Sequence, residues 1–461
     1  MRPAMTSRFK PAVPKPVTGP QSTVHPLPSF ASSPVASPAV ASPPSAIQGD
    51  APAPSPAPAP AALTWVTRGS PAYRRISLAL FLSGFATFSL LYCVQPLLPA
   101  LTVEFGIGAA QSSLALSLST GFLAFSILCA GAFSERVGRR GLMFTSMALA
   151  AACNVVAAVA PTWHLILLAR ALEGFVLGGV PAVAMAYLAE EIDPRGLGLS
   201  MGLYVGGTAF GGMMGRVGMS FLTDAFSWRH AMMTLGVIDL LAAAAFVWLL
   251  PVSRNFTPRA GLGPAHHLAL WRRHLAHPRL PALFGVGCLV MGAFVTVYNY
   301  AGFRLLGAPF NLSASETGLI FSAYLFGMVA SSAAGAMADR FGRGPVMASG
   351  IGVAVLGLLL TLPASLPWTI AGLVAITIGF FITHAVASGW VGALANGAKG
   401  HAASLYLLAY YLGSSVLGSA GGWFWEAHRW GGVVCFAFVL LAGCFALALR
   451  VWRGGPTRLA A

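Results

Sequence analysis

The chain has 461 residues, 57% hydrophobic and only 8% charged, with a net charge of +15 and a mean hydropathy of +0.76. A soluble domain carries about 25% charged residues, so this composition excludes a water-soluble globule and makes lipid the solvent for most of the chain. The positive residues are not gathered on one face, as a nucleic-acid surface requires, but stand in short gaps between apolar runs.

Residues 1–73 form a Pro/Ala/Ser-rich tail, as in "ASSPVASPAVASPPSAIQGDAPAPSPAPAPAAL", with no aliphatic stripe to bury. Such a segment is expected to be disordered or polyproline-like. It lacks the continuous apolar core of a signal peptide. From about Arg74 the chain resolves into apolar runs of about 20 residues, the length a helix needs to cross a bilayer. They lie near 76–100, 111–133, 142–160, 163–188, 197–222, 229–250, 281–305, 317–337, 345–363, 367–394, 401–425 and 430–450. We label them spans one to twelve. The expected fold is an all-α membrane protein of two six-helix halves, 74–250 and 281–450. They are joined by a basic loop at 251–280 and followed by a short tail at 451–461. The loop contains Trp271 and reads as a short helix lying on the membrane face.

Lys and Arg fix the orientation. With the N-terminus inside, 22 of the 27 fall in inward tails and loops, three (Arg229, Arg304, Arg429) at outward ends, and Arg170 and Arg216 inside spans. This skew predicts both termini in the cytoplasm. The six cysteines sit inside apolar runs without metal spacing and read as small hydrophobes.

Repetition runs through the chain. "GAFSERVGRRGLM" at 131–143 matches "GAMADRFGRGPVM" at 335–347, an offset of 204. "LYVGGTAFGG" in span five aligns with "YYLGSSVLGS" in span eleven, Tyr204 with Tyr411 and Gly211 with Gly418. Parallel six-helix repeats are the pattern of a rocking transporter with its site between the halves.

These motifs resemble the Major Facilitator Superfamily. The loop after span two is similar to that family's Gly-x-x-x-Asp-Arg-x-Gly-Arg-Arg/Lys signature in Gly131, Arg136, Gly138, Arg139 and Arg140, with Glu135 where Asp is usual. The second copy keeps Gly335, Asp339, Arg340, Gly342 and Arg343. Span four carries an Arg-x-x-x-Gly signature in Arg170 and Gly174. Span five resembles the glycine-rich antiporter motif in Gly207, Gly211 and Gly212, but that motif's proline is Thr208 here. "PAVAMAYLAEEI" and "GLYVGGTAFGGMMGR" are similar to a branch of bacterial efflux permeases. The resemblance implies a multi-pass protein of the bacterial inner membrane. It would export a drug-like or sugar-like compound by proton antiport, with no cofactor beyond the proton gradient. Import by symport or facilitated diffusion is the second reading, because the antiporter motif is incomplete.

The glycines at 138 and 342 suit a sharp turn, and the acid and arginines beside them can pair across helix ends. In the family this motif is taken to latch the cytoplasmic side. Plain topology, basic residues holding a loop inside, is the alternative. Charges within spans cost several kcal/mol unless paired or wetted. Arg170 and Glu173 share a helix face, and Arg216 and Asp239 lie at comparable depth. They read either as two self-satisfied ion pairs or as a proton-responsive network, with Asp239 favoured as the proton carrier because Glu173 has a local partner. His384 is the mid-span histidine, read as a substrate or proton contact or as a structural group. Phe85, Phe88, Tyr92 and Gln95 of span one and Tyr298, Asn299 and Tyr300 of span seven would suit an aromatic or amphipathic solute. Lipid-facing packing is the other reading for each aromatic. The C-terminal half has no mid-span charge, which disfavours strongly anionic solutes such as sugar phosphates. No metal-ligand cluster, GxSxG or P-loop is present, so an enzyme or an ATP-driven pump is not expected. Its partners are expected to be a small-molecule substrate and membrane lipid, with no nucleic acid, and the chain is expected to act as a monomer.

Overall fold

The computed structural model describes residues 65–255, 263–395 and 397–454, with side chains throughout except at 130–137, 182 and 264. The expected tails thus lie outside the described residues up to position 64 and beyond 454. The first described residues are anchored: the Val66 amide donates to the Glu191 carbonyl at 2.8 Å, and the Asp193 amide donates to the Val66 carbonyl at 3.1 Å.

The N-terminal half comprises α1 (Pro71–Tyr92), α2 (Leu98–Phe105), α3 (Ala109–Ser112), α4 (Leu114–Val137), α5 (Arg139–Val159), α6 (Trp163–Leu177), α7 (Pro181–Glu191), α8 (Pro194–Ala225) and α9 (Trp228–Leu249). Starts follow local chemistry. Ser70, Thr162 and Ser227 accept amide hydrogens in the first turns of α1, α6 and α9, satisfying donors a helix start leaves free. The run at 163–188, expected as one helix, is interrupted between α6 and α7. Pro181 has no amide hydrogen to continue the ladder, and α7 starts afresh there.

The C-terminal half follows α10 (Pro264–Leu275), the short helix expected in the linking loop. It comprises α11 (Leu280–Leu306), α12 (Ala314–Leu319), α13 (Tyr324–Phe341), α14 (Arg343–Leu360), α15 (Leu366–Leu394), α16 (Lys399–Leu412) and α17 (Gly418–Arg453). A π-helical turn at Gly413–Leu417 joins α16 to α17, and α17 breaks at His428 and Arg429, whose backbones are not helical. That break separates the segments read as spans eleven and twelve.

Among the described residues nine helical stretches are long and apolar enough to cross a membrane. The polarity is inverted relative to a protein in water. Phe125, Val329 and Trp423 are 57%, 72% and 69% exposed, while Arg170, Glu173 and Asp239 are fully buried. Apolar surface outside and charge inside is the distribution that lipid imposes.

Each half holds a close-packed glycine seam against its first long helix. A Cβ on Gly207 would stand 2.4 Å from the Phe81 carbonyl oxygen, and one on Gly211 would stand 2.2 Å from that of Phe85, so α8 lies directly on α1. In the other half a Cβ on Gly413 would stand 2.0 Å from the Cys288 carbonyl oxygen, and one on Gly418 would stand 2.7 Å from Val295. The chain joining α16 and α17 thus presses on α11 as α8 presses on α1. Small residues at helical spacing permit this approach.

Candidate functional site

Two single-residue turns organise one end of the bundle. Gly138 joins α4 to α5 at φ 85, ψ 147, and Gly342 joins α13 to α14 at φ 87, ψ 151. This region is accessible essentially only to glycine. No atom lies within 4 Å of where a Cβ on Gly138 would be, so conformation and not space demands the residue there. The repeated motif therefore encodes the same backbone turn twice.

Its side chains are used unequally. Arg139 is 9% exposed and grips Glu190 of α7, with Nε donating to Oε2 at 2.5 Å and Nη2 to Oε1. Arg140 donates to the Val247 carbonyl of α9. Gly131 lies in α4, and the side chains of Glu135 and Arg136 lie outside the described residues. In the second copy Gly335, Asp339, Arg340 and Arg343 are all exposed, and Arg340 lies over the Phe341 ring. The Arg139–Glu190 pair stays within one half.

The hydrogen bonds that join the halves lie at the opposite end. Ser113 donates to Ser419 at 2.9 Å, Ser415 donates to the Ser117 carbonyl at 2.7 Å, and the Ala110 amide donates to Glu426 at 3.0 Å. The Ser315 amide donates to Asp224 at 3.3 Å. Gln95 Nε2 donates to Asn299 Oδ1 at 2.7 Å. A Cβ on Gly422 would stand 2.4 Å from the Ala110 Cα.

Behind this seal lies a cavity of about 470 Å³, within the range of small-molecule sites. Both halves wall it. Phe88 and Tyr92 come from α1, Thr208, Gly212 and Arg216 from α8, Met291 and Phe294 from α11, and Tyr324 and Ser331 from α13. Phe380, Phe381, His384 and Ser388 of α15 and Tyr410 and Tyr411 of α16 complete it. The His384 ring stacks on Phe380 at 5.9 Å, and its Nδ1 lies 2.9 Å from the Tyr406 hydroxyl.

The four charges do not share one hydrogen-bonded network among the described residues. Arg170 and Glu173 form a fully buried pair at 2.7 Å. Arg170 also donates to the carbonyls of Leu90 (3.1 Å), Leu91 (2.8 Å) and Ala115 (3.1 Å). Leu90 and Leu91 lie in the last turn of α1, whose carbonyls have no partner within the helix. Four residues on, a Cβ at Gly174 would stand 2.0 Å from the Ser119 carbonyl oxygen, so α6 and α4 touch. The Arg-x-x-x-Gly signature thus ties α1, α4 and α6 together. Asp239 of α9 is fully buried, and among the described residues its hydrogen-bond partner is Ser89 of α1, at 3.0 and 3.3 Å. Arg216 does not reach it. Its Nε donates to Gln95 at 2.5 Å, and its guanidinium lies over Tyr92 and Tyr324 at 4.1 and 4.8 Å.

Of the expected substrate contacts, Phe88, Tyr92 and His384 line the cavity. Gln95, Tyr298 and Asn299 are not among the residues that line it. Gln95 and Asn299 belong to the seal. Tyr298 packs behind the wall against Phe294 and Tyr324, with its hydroxyl 2.6 Å from that of Thr377. Sequence reading missed Tyr324, Phe380, Phe381, Tyr410 and Tyr411. The four-residue spacings Phe380/His384 and Tyr406/Tyr410 carried a usable signal. No group of three or more potential metal ligands occurs among the described residues.

The comparisons agree with this architecture. The family model "Major Facilitator Superfamily" matches residues 80–307 and again 301–460. The inner membrane transport protein YnfM of Escherichia coli is 46% identical over 389 residues, covering 84% of this chain and 93% of that protein. The uncharacterized MFS-type transporter YybF of Bacillus subtilis is 42% identical over 394 residues, covering 85% and 96%. Among solved structures, a bacterial homolog of the human lysosomal transporter Spinster, inward-facing and unoccupied, superposes with a TM-score of 0.69. It has 15% identity and covers 85% of this chain and 100% of that one. The chain belongs to the Major Facilitator Superfamily. It is a multi-pass membrane transporter and not an enzyme.

Proposed function

We propose that the protein is a secondary transporter of the bacterial inner membrane, exporting a small organic compound in exchange for protons by alternating access. The observation that carries this reading is the central cavity, walled by both halves and sealed at one end by contacts between them. With twelve spans and both termini in the cytoplasm, the sealed end faces outward and the turns at Gly138 and Gly342 face inward. The conformation is then inward-facing. The energy source is the proton gradient, and the chain works as a monomer in lipid.

Asp239 is the proton carrier in this scheme. An ionised carboxylate surrounded by helices, with a single hydroxyl for company, costs several kcal/mol. Protonation removes that cost, and movement of α9 against α1 would expose the group again. Glu173 is less suited, because Arg170 already balances it. Import by symport or facilitated diffusion is the second reading. It is supported by Thr208, whose hydroxyl donates to the Val205 carbonyl at 2.7 Å within an uninterrupted α8, where the antiporter motif has proline.

The test is flux in proteoliposomes under an imposed pH gradient. Asp239→Asn is expected to abolish gradient-driven transport while leaving substrate binding intact. Undiminished gradient-driven flux in that variant would reject Asp239 as carrier, and flux in the wild type indifferent to the gradient would reject proton coupling altogether.

A further inference from the structure

The cavity wall holds one permanent charge and nothing to balance it. Arg216 is 2% exposed, and among the described residues no carboxylate lies within salt-bridge distance of it. Arg170, fully buried in the same half, has Glu173. Among the described residues that line the cavity there is no Asp or Glu. Arg216 spends Nε on Gln95 and Nη1 on the Gly212 carbonyl, each at 2.5 Å, while Nη2 makes no hydrogen bond among the described residues. Tyr92 and Tyr324 supply ring faces to the guanidinium, which eases its burial but leaves the charge itself uncompensated.

An unpaired buried cation is costly, and a bound anion repays that cost. A single arginine fork suits one carboxylate. A phosphate dianion or a dicarboxylate would call for a second permanent cation, and the wall has none. Around the charge the surface is aromatic: Phe88, Phe294, Phe380, Phe381 and Tyr410. We propose that the transported solute is an organic monoanion, its carboxylate seated on Arg216 and an aromatic or amphipathic body resting on these rings. Cationic drug-like amines are repelled by the same charge. The proposal rests on the reading of this cavity as the transport site and deepens it by naming the substrate class.

The test is equilibrium binding to the full chain in nanodiscs at pH 7, read by thermal shift and tryptophan fluorescence. The probes are benzoate, 4-phenylbutyrate and indole-3-butyrate, each beside its primary amide and the corresponding amine. At least one carboxylate is expected to bind about tenfold tighter than its amide, the increment of one charge-assisted contact, and its amine is expected not to bind. Arg216→Gln is expected to erase that preference, and Arg216→Lys to keep part of it. The proposal fails if no carboxylate in the panel binds, if an amide or amine binds as tightly as its carboxylate, or if Arg216→Gln retains the preference. The wild-type series decides the matter alone should the variants not fold. Because binding is read without a gradient, loss of proton coupling would leave this result untouched.

Discussion

Gln95 and Asn299, whose side-chain amides meet at 2.7 Å, stand 204 positions apart, the same offset that separates the two glycine turns. The bond joins the two halves at the sealed end. Arg216 braces it from one side through Gln95.

Loss of that bond should loosen the seal. Asn299→Ala leaves a buried amide donor without its partner, at a cost of about 1–3 kcal/mol to the sealed state. A cysteine placed at Ser419 should then react at least about fivefold faster with a membrane-impermeant maleimide. Unchanged labelling would show that the contacts of Ser415 with the Ser117 carbonyl and of Ala110 with Glu426 hold the end closed by themselves.

The two turns make a backbone prediction. Gly138→Ala and Gly342→Ala force an L side chain into a glycine-only conformation, at about 1–3 kcal/mol each. Gly141 offers the control: it lies inside α5, with no atom within 4 Å of where its Cβ would be. Gly141→Ala should be neutral or slightly stabilising, since alanine is the better helix former. Melting temperatures in detergent would separate the two classes.

Glu173 and Asp239, both buried acids of one half, should fail differently. Glu173→Gln removes the counter-charge of Arg170 and should cost about 3–5 kcal/mol of stability, seen as a large fall in melting temperature. Asp239→Asn replaces an acid that has only a serine partner, and the melting temperature should hold while gradient-driven flux is lost. Equal destabilisation by both would make Asp239 a structural group.

Acid should open the sealed end through Asp224. Hydrogen bonds from Ser315 hold its carboxyl below the ordinary aspartate range. A group lowered in this way stabilises the sealed state above its ordinary value, about 3.9, and that contribution is lost as pH falls through the lowered value. Labelling at a cysteine replacing Ser419 should therefore rise below about pH 4. Asp224→Asn should flatten that part of the profile.

Much of the fold was legible because lipid makes composition decisive. Helix length, the positions of the basic gaps and the repeat at 204 all follow from apolar runs and their punctuation. The glycine turns were legible because only glycine adopts their backbone. The charge network was not. Arg170, Glu173, Arg216 and Asp239 share a depth, but depth does not say which helix faces which, and Arg216 proved to face the aromatic chamber while Asp239 faces Ser89. Helical spacing put Gln95 and Asn299 on plausible binding faces, yet α1 ends at Tyr92, and Gln95 in the short 3-10 turn beyond it meets Asn299 instead. Tyr324 and Phe381 escaped notice because an aromatic residue in a lipid-soluble helix has many uses, and only the packing of the two halves selects among them.

The seams at Gly207 and Gly211, and at Gly413, bring main chain against main chain with no side chain to cushion it. Slack is thus absent within either half and concentrated between them. A push delivered at one wall of the chamber must reach the far rim undiminished, since each half behaves as a lever and not as a spring.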